Sequence, residues 1–295
     1  MTEIITSLSQ ISARYDAVLC DLWGCLHNGK APFPAAVAAL QAFRAKGGRV
    51  MLLTNAPRPN MSIIKQLDGM GVPRDAWDEV VSSGDASQYA MLSGAVGDRV
   101  YHIGAPKDET FFTDFSGDLQ TLAATNQITR VALKDATGIV CTGLADDLTE
   151  TPDDYRAALL MGKTLGLPML CANPDIIVDM GDKRLYCAGA LAVAYEDMGG
   201  TALYYGKPHP AIYDLARRRL AAMGVKDDAG ILCIGDGIGT DVQGAMSEGL
   251  DALFVTGGIA AAEFGADSNN PNKDLLETWL AKQMLSPVHS IGHLR

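Results

Sequence analysis

Short apolar runs that end on a polar residue recur along this chain, and they set its architecture. Residues 17–23 (AVLCDLW) and 49–55 (RVMLLTN) are continuous apolar stretches, too short for helices, that run into an aspartate and into Thr-Asn. Such runs predict strands buried on both faces. Between and after them the apolar residues fall at helical spacing. Residues 34–46 begin with Pro34 and close at Gly47-Gly48, and residues 61–70 stop at Gly71. Both read as helices with ordinary start and stop signals. The alternation β-α-β-α predicts a parallel sheet with right-handed crossovers.

The pattern restarts near Gly84. Residues 86–92 predict a helix, 99–104 (RVYHIG) a strand, 138–142 (GIVCT) a strand, 152–165 a helix and 168–172 a strand, with a less regular stretch over 105–126. This is a second α/β unit inserted into the first. Residues 191–198 and 202–206 are read as the return to the first unit, followed by a helix over 210–223, strands at 230–235 (GILCIG) and 252–255, and a helix over 241–248 between them. A last helix at 275–283 precedes a polar tail. The expectation is an α/β fold: a doubly wound, Rossmann-like parallel sheet over 1–84 and 188–295, with a smaller α/β domain inserted over 85–187.

Composition narrows the function. At 295 residues and 48% hydrophobic the chain can bury a large core, and no run approaches a membrane span. The formal net charge of -11, with no basic stripe, argues against nucleic acid and anionic membrane as partners. An anionic substrate would need local positive charge from a lysine or a metal. The cysteines, Cys20, Cys25, Cys141, Cys171, Cys187 and Cys233, show no CxxC spacing, and four sit in strand-like runs. They read as reduced core residues of a cytoplasmic protein rather than zinc ligands. The first twelve residues lack the basic start and apolar core of a signal peptide.

Four strand ends carry chemistry: Asp21; Thr54-Asn55; Lys207 in Gly206-Lys207-Pro208; and Gly235-Asp236-Gly237-Ile238-Gly239-Thr240-Asp241. Singly each is ordinary, a turn, a loop lysine or a helix cap. Together, at the carboxyl ends of parallel strands where ligands bind, they form the set that phosphoryl transfer needs. A carboxylate can attack phosphorus, a divalent ion held by few carboxylates offsets charge, and a lysine and a hydroxyl neutralise the phosphate oxygens.

In this order the motifs resemble the haloacid dehalogenase-like (HAD) superfamily. The insertion between the second and third motifs resembles the C2-type cap of its class IIA, the NagD-like and 4-nitrophenyl-phosphatase-like hydrolases. Leu53-Thr54-Asn55-Ala56-Pro57-Arg58, Asn173-Pro174-Asp175 and Gly206-Lys207-Pro208 carry that likeness, over about residues 17–258. The resemblance implies a phosphatase of small phosphorylated metabolites, such as sugar, aryl or acyl phosphates. It makes Asp21 the nucleophile, with Mg²⁺ on Asp21, the main-chain carbonyl of Trp23 and Asp236, and Asp241 beside them. Thr54, Asn55, Trp23 and Lys207 would surround the phosphate. A homo-oligomer is the assembly considered.

One departure matters. The family's phosphatases place a second aspartate, the general acid and base, two residues after the nucleophile. Here that position is Trp23, whose indole N–H donates a hydrogen bond but relays no proton. Several readings stay open: phosphates with good leaving groups only, His27 as a substitute acid, or a binding protein without turnover. An aromatic residue at this position also marks dehalogenases, but those need no metal, and Asp236 with Asp241 argues for one. Residues 173–175 and 187–190 are expected near the entrance.

Overall fold

In chain order the strands are β1 (Glu3–Ile4), β2 (Ala17–Cys20), β3 (Arg49–Thr54), β4 (Glu79–Ser82), β5 (Arg99–Ile103), β6 (Thr129–Arg130) and β7 (Gly138–Cys141). They continue as β8 (Pro168–Cys171), β9 (Ile177–Met180), β10 (Lys183–Tyr186), β11 (Thr201–Tyr204), β12 (Ile231–Gly235), β13 (Asp251–Val255) and β14 (His289–Ile291). The structure is a computed structural model and describes residues 2–180 and 183–295. Among the described residues the strands form a seven-stranded sheet, β1-β14-β13-β12-β2-β3-β4, a five-stranded sheet, β11-β8-β7-β5-β6, and the antiparallel pair β9–β10. The chain divides into two compact units: Met1–Thr54, Lys65–Val81 and Tyr213–Arg295 form the first, Asn55–Ile64 and Ser82–Ile212 the second.

In the first unit β2 lies between β12 and β3, parallel to both. Every residue of β2 and β12 is buried, which accounts for their unbroken apolar sequence: a central parallel strand is covered on both faces. Helix Pro34–Ala45 buries Ala36, Val37, Leu40 and Phe43, one face at helical spacing, and has proline at its first turn. Its Arg44 grips Asp78, just before β4, through Nε (3.0 Å) and Nη2 (2.7 Å), while the Val50 N–H donates to the same carboxylate at 2.8 Å.

Burial alone would raise the Asp78 pKa, but the Arg44 and Val50 hydrogen bonds outweigh it and hold the carboxyl below its ordinary 3.8. A depressed carboxyl pKa contributes stability that is present above the ordinary value and lost as pH falls through the folded one. Asp78→Asn is therefore expected to cost about 1–2 kcal/mol at neutral pH and to flatten the acid limb of the melting temperature below the ordinary carboxyl value. Thermal melts across that range check both statements.

The second unit has its own core. Ile139, Cys141, Leu159, Met169, Cys171, Leu191 and Tyr195 pack into one cluster. Helix Ala188–Asp197 supplies Leu191 and Tyr195, and the Tyr195 hydroxyl donates to the Leu167 carbonyl at 2.6 Å. β11 pairs in parallel with β8, from Thr201↔Pro168 to Tyr204↔Cys171. Residues 191–198 and 202–206 therefore belong to the second unit, which differs from their sequence assignment to the first. The apolar pattern of β11 states that it is a strand but not which sheet accepts its edge.

Other segments were not legible as elements. β4 falls in a stretch given no element, β9 and β10 are four-residue runs that mix apolar and charged residues, and the polar tail contains β14, parallel to both β13 and β1. No helix among the described residues is long and apolar enough to cross a membrane. The order β6-β5-β7-β8-β11 places a topological switch between β5 and β7. At the carboxyl ends there, the buried Thr142 hydroxyl donates to Asp108 Oδ2 at 2.8 Å and lies 2.9 Å from His102 Nε2, a network absent from the sequence reading.

Candidate active site

Asp21 follows the last residue of β2, and its N–H donates to the Ile234 carbonyl at 2.8 Å, prolonging the β2–β12 pairing by one step. Asp236 follows the last residue of β12. Adjacent strands in parallel register thus bring two carboxylates to one sheet edge from opposite ends of the sequence. Ligand atoms of Asp21, Asp236 and Cys25 lie within 4.8 Å of one another, and all three residues are buried. Asp21 is 8% and Asp236 4% exposed.

The loop after Asp21 allows this approach through Gly24. It has φ of +72°, and a Cβ there would overlap the Asp236 carboxylate; a Cβ on Gly258 would do the same. The Ile259 N–H donates to Asp236 Oδ2 at 3.0 Å. Asp241 sits in the π-helical turn Ile238–Val242, and its Oδ2 accepts the Gly237 N–H at 3.0 Å, which braces the loop that carries Asp236. Thr54, 2% exposed, is the last residue of β3, next to β2 in the same sheet.

Cys25 is a member of this cluster that the sequence reading assigned to the core. Burial first, then the Asp236 and Asp21 charges, push its thiol well above the usual range, so it stays protonated. Two buried carboxylates on adjacent strand ends suit a hard, oxygen-seeking cation that offsets their charge, and Mg²⁺ fits that set.

Asn55 and Lys207 belong to the second unit and are joined there. Asn55 Oδ1 accepts the Lys207 N–H at 2.7 Å, while its Nδ2 donates to the Lys207 carbonyl at 3.0 Å and to Asp175 Oδ1 at 2.8 Å. Both amide protons and the amide oxygen are thus engaged within the fold. The Asn55 side chain ties the main chain of Lys207 in place instead of standing ready for a phosphate. Asn55→Ala is expected to destabilise the protein by roughly 2–3 kcal/mol, since it strips buried partners from the 207 main chain. Asn55→Asp keeps the acceptor toward the Lys207 N–H but sets a buried carboxylate oxygen against the Lys207 carbonyl and Asp175 Oδ1, so it should lose at least as much; melting temperatures of the two variants check the order.

Trp23 is turned into its own loop. Its indole lies so close over Gly29, which has φ of +84°, that a Cβ there would overlap the ring, and it meets His27 edge-on at 5.4 Å. His27, 1% exposed, accepts the Gly29 N–H through Nδ1 at 3.0 Å. That is a loop-building role, and the Nδ1 engaged there is not a proton donor to a leaving group. Asn173 and Cys187, expected near the entrance, are both buried. The Cys187 N–H donates to the Ile176 carbonyl at 2.9 Å, and the Asp175 N–H donates to Asn173 Oδ1 at 3.0 Å.

The parallel sheet of the first unit carries two carboxylates at adjacent strand ends, and the comparisons give the class. Residues 18–116 match the profile of haloacid dehalogenase-like hydrolases, and residues 204–278 match a HAD-hydrolase-like profile. A crystal structure of a haloacid dehalogenase-like family hydrolase from Brucella suis 1330 is 39% identical and superposes with a TM-score of 0.84, covering 99% of this chain and 100% of that one. The chain belongs to the haloacid dehalogenase-like hydrolase family. D-Glycerol 3-phosphate phosphatase of Mycobacterium tuberculosis is 26% identical over 267 residues, 86% of this chain and 67% of that protein. The crystal structure of a Mycobacterium tuberculosis glycerol phosphate phosphatase in complex with magnesium shares the fold, at 24% identity and a TM-score of 0.64 over 89% of this chain and 74% of that one.

Proposed function

We propose that this chain is a Mg²⁺-dependent phosphatase of small phosphorylated metabolites that works through an aspartyl-phosphate on Asp21. The observation that carries this reading is the buried Asp21–Asp236 pair on adjacent strand ends, with Gly24 and Gly258 packed against Asp236. The phosphatase activity and the bound magnesium named for the mycobacterial relatives support it. Asp21, the main-chain carbonyl of Trp23 and Asp236 would hold the ion, which when bound offsets the negative charge of substrate and carboxylates.

The Asp21 carboxylate attacks phosphorus and the ester P–O bond breaks. The leaving oxygen takes a proton, and water then attacks the phosphorus of the acyl phosphate, releasing inorganic phosphate and restoring the carboxylate. The Thr54 hydroxyl and the Lys207 ammonium are assigned to the phosphate oxygens, Asn55 to the placement of Lys207, and Asp241 to the loop of Asp236. With an indole at position 23, the leaving group draws its proton from solvent. The reading therefore favours aryl and acyl phosphates, whose leaving groups need little protonation, over alkyl phosphates. Six free, buried thiols suit a reducing compartment, which supports a cytoplasmic setting.

The Trp23 packing also favours a second reading, a protein that binds phosphate esters without turning them over. A panel of phosphate esters with and without Mg²⁺ separates the two. Mg²⁺-dependent release of 4-nitrophenol from its phosphate ester supports the enzyme. Binding of the esters by calorimetry, with no release from any of them, supports the binder and ends the first reading.

A further inference from the structure

The strongest unassigned arrangement lies behind Asp236, on the side away from β2. β13 ends at Val255, and the next four residues form the loop that touches the carboxylate: Gly258 leaves room for it, and the Ile259 N–H donates to it at 3.0 Å. That loop is held in turn by the last residues of the chain. The Thr256 N–H and hydroxyl donate to the Ile291 carbonyl at 2.8 and 3.1 Å, and the Gly257 N–H donates to the Gly292 carbonyl at 2.6 Å. Gly257 also lies so near His293 that a Cβ would overlap the imidazole.

The tail is itself docked. β14 pairs with β13 and β1, the Leu8 N–H donates to the Arg295 carbonyl at 2.7 Å, and His293 Nε2 lies 3.1 Å from Ser268 Oγ. None of this tail falls within the residues that match the family profiles, which end at 278.

We propose that residues 289–295, acting through the main chain of residues 256–259, position Asp236 for its cation. The proposal rests on the reading of Asp21 and Asp236 as the Mg²⁺ site. A carboxylate's terminal torsion is soft, so an N–H fixed to one oxygen sets the plane in which the group presents its lone pairs. The N–H can do this only if its own loop is rigid, and the one local turn bond there, from the Ala261 N–H to the Gly258 carbonyl at 3.1 Å, leaves residues 256 and 257 to be held from outside. The tail supplies it by extending the β13–β14 ladder two residues past the end of β13. Groups that orient a ligand in this way typically change metal affinity by 10- to 100-fold when removed. Ile259 and the tail are positioning elements, since neither contributes a ligand atom.

The test measures Mg²⁺ binding by calorimetry on the full chain, without substrate, for wild type, Gly257→Ala, Ile259→Pro and Ile259→Val. Gly257→Ala pushes the tail off the loop, Ile259→Pro deletes the N–H, and Ile259→Val keeps it. The expected result is a dissociation constant raised about tenfold or more in the first two variants and restored in the third. In the phosphatase assay, Gly257→Ala should shift the Mg²⁺ concentration for half-maximal rate while kcat at saturating Mg²⁺ stays within about twofold of wild type.

Metal-free melting curves establish which variants fold; if Ile259→Pro does not, Gly257→Ala decides. A folded Gly257→Ala or Ile259→Pro variant with wild-type Mg²⁺ affinity overturns the proposal, as does a loss of kcat that saturating Mg²⁺ leaves unrepaired. A wild-type chain that binds no Mg²⁺ overturns the functional reading with it, whereas wild-type binding with unaltered variants overturns this inference alone.

Discussion

Asp21→Asn is expected to lower Mg²⁺-dependent hydrolysis of 4-nitrophenyl phosphate by roughly 10⁴-fold or more, because an amide cannot form the acyl phosphate. The variant should fold. Asp21 is 8% exposed and shares its pocket with Asp236, so in metal-free protein the substitution removes repulsion between buried like charges. The metal-free melting temperature should therefore hold or rise by a few degrees, as a gain of about 1 kcal/mol produces in a chain of this size. The rise in melting temperature that Mg²⁺ confers on wild type, through binding to the folded state, should shrink sharply in the variant. The two readouts move in opposite directions. Mere misfolding would lower both, and a variant that kept a tenth of the activity would remove Asp21 from the role of nucleophile.

Trp23→Asp should act the other way on turnover. A carboxyl two residues after the nucleophile would supply the missing general acid and base, an effect worth on the order of 10²–10⁴-fold. The gain should be large for an alkyl phosphate such as glycerol 3-phosphate and small for 4-nitrophenyl phosphate, whose leaving group departs without a proton. There is a cost, because the indole covers Gly29 and meets the edge of His27, and an aspartate fills neither contact. Loss of that apolar contact is expected to destabilise the loop by about 1–2 kcal/mol. Kinetics on the two esters, taken below the lowered melting temperature, decide the matter: equal or slower alkyl turnover would mean that the loop does not present position 23 to the reacting oxygen.

Much of the first unit was readable from sequence for a single reason. β2, β3 and β12 are central strands of a parallel sheet, and burial on both faces demands continuous apolar runs that end at the loop. The polar residue closing each run is then the residue at the carboxyl edge, which is how Asp21, Thr54 and Asp236 could be named without coordinates. The helix signals at Pro34 and Gly71 were equally local. Where pairing partners are remote and the sequence is polar, that logic fails. His289 and Ser290 are almost fully buried in β14, yet nothing in His-Ser-Ile distinguishes an inner strand from a solvated tail. Their burial comes from β13 and from β1, which lies more than 280 residues away in sequence.

Asn55 and Trp23 show the same limit at the site. Motif order placed both near a phosphate, and only coordinates reveal that the Asn55 amide is consumed by Lys207 and Asp175 and that the indole is folded onto Gly29. A side chain's partners depend on which loop passes within 3 Å of it, and that is a property of the assembled chain.

By itself the sequence determined the alternation of buried strands and helices, the acidic and thiol-bearing composition, and the identity of the polar residues at the strand ends. These follow from spacing and burial, which are local. Tertiary structure alone decided that β11 joins β8, that Cys25 joins the two carboxylates in one buried cluster, and that the tail holds the loop whose Ile259 N–H donates to Asp236. Those outcomes depend on strand register and on glycine-permitted close approach between distant segments, and no local pattern of residues encodes either.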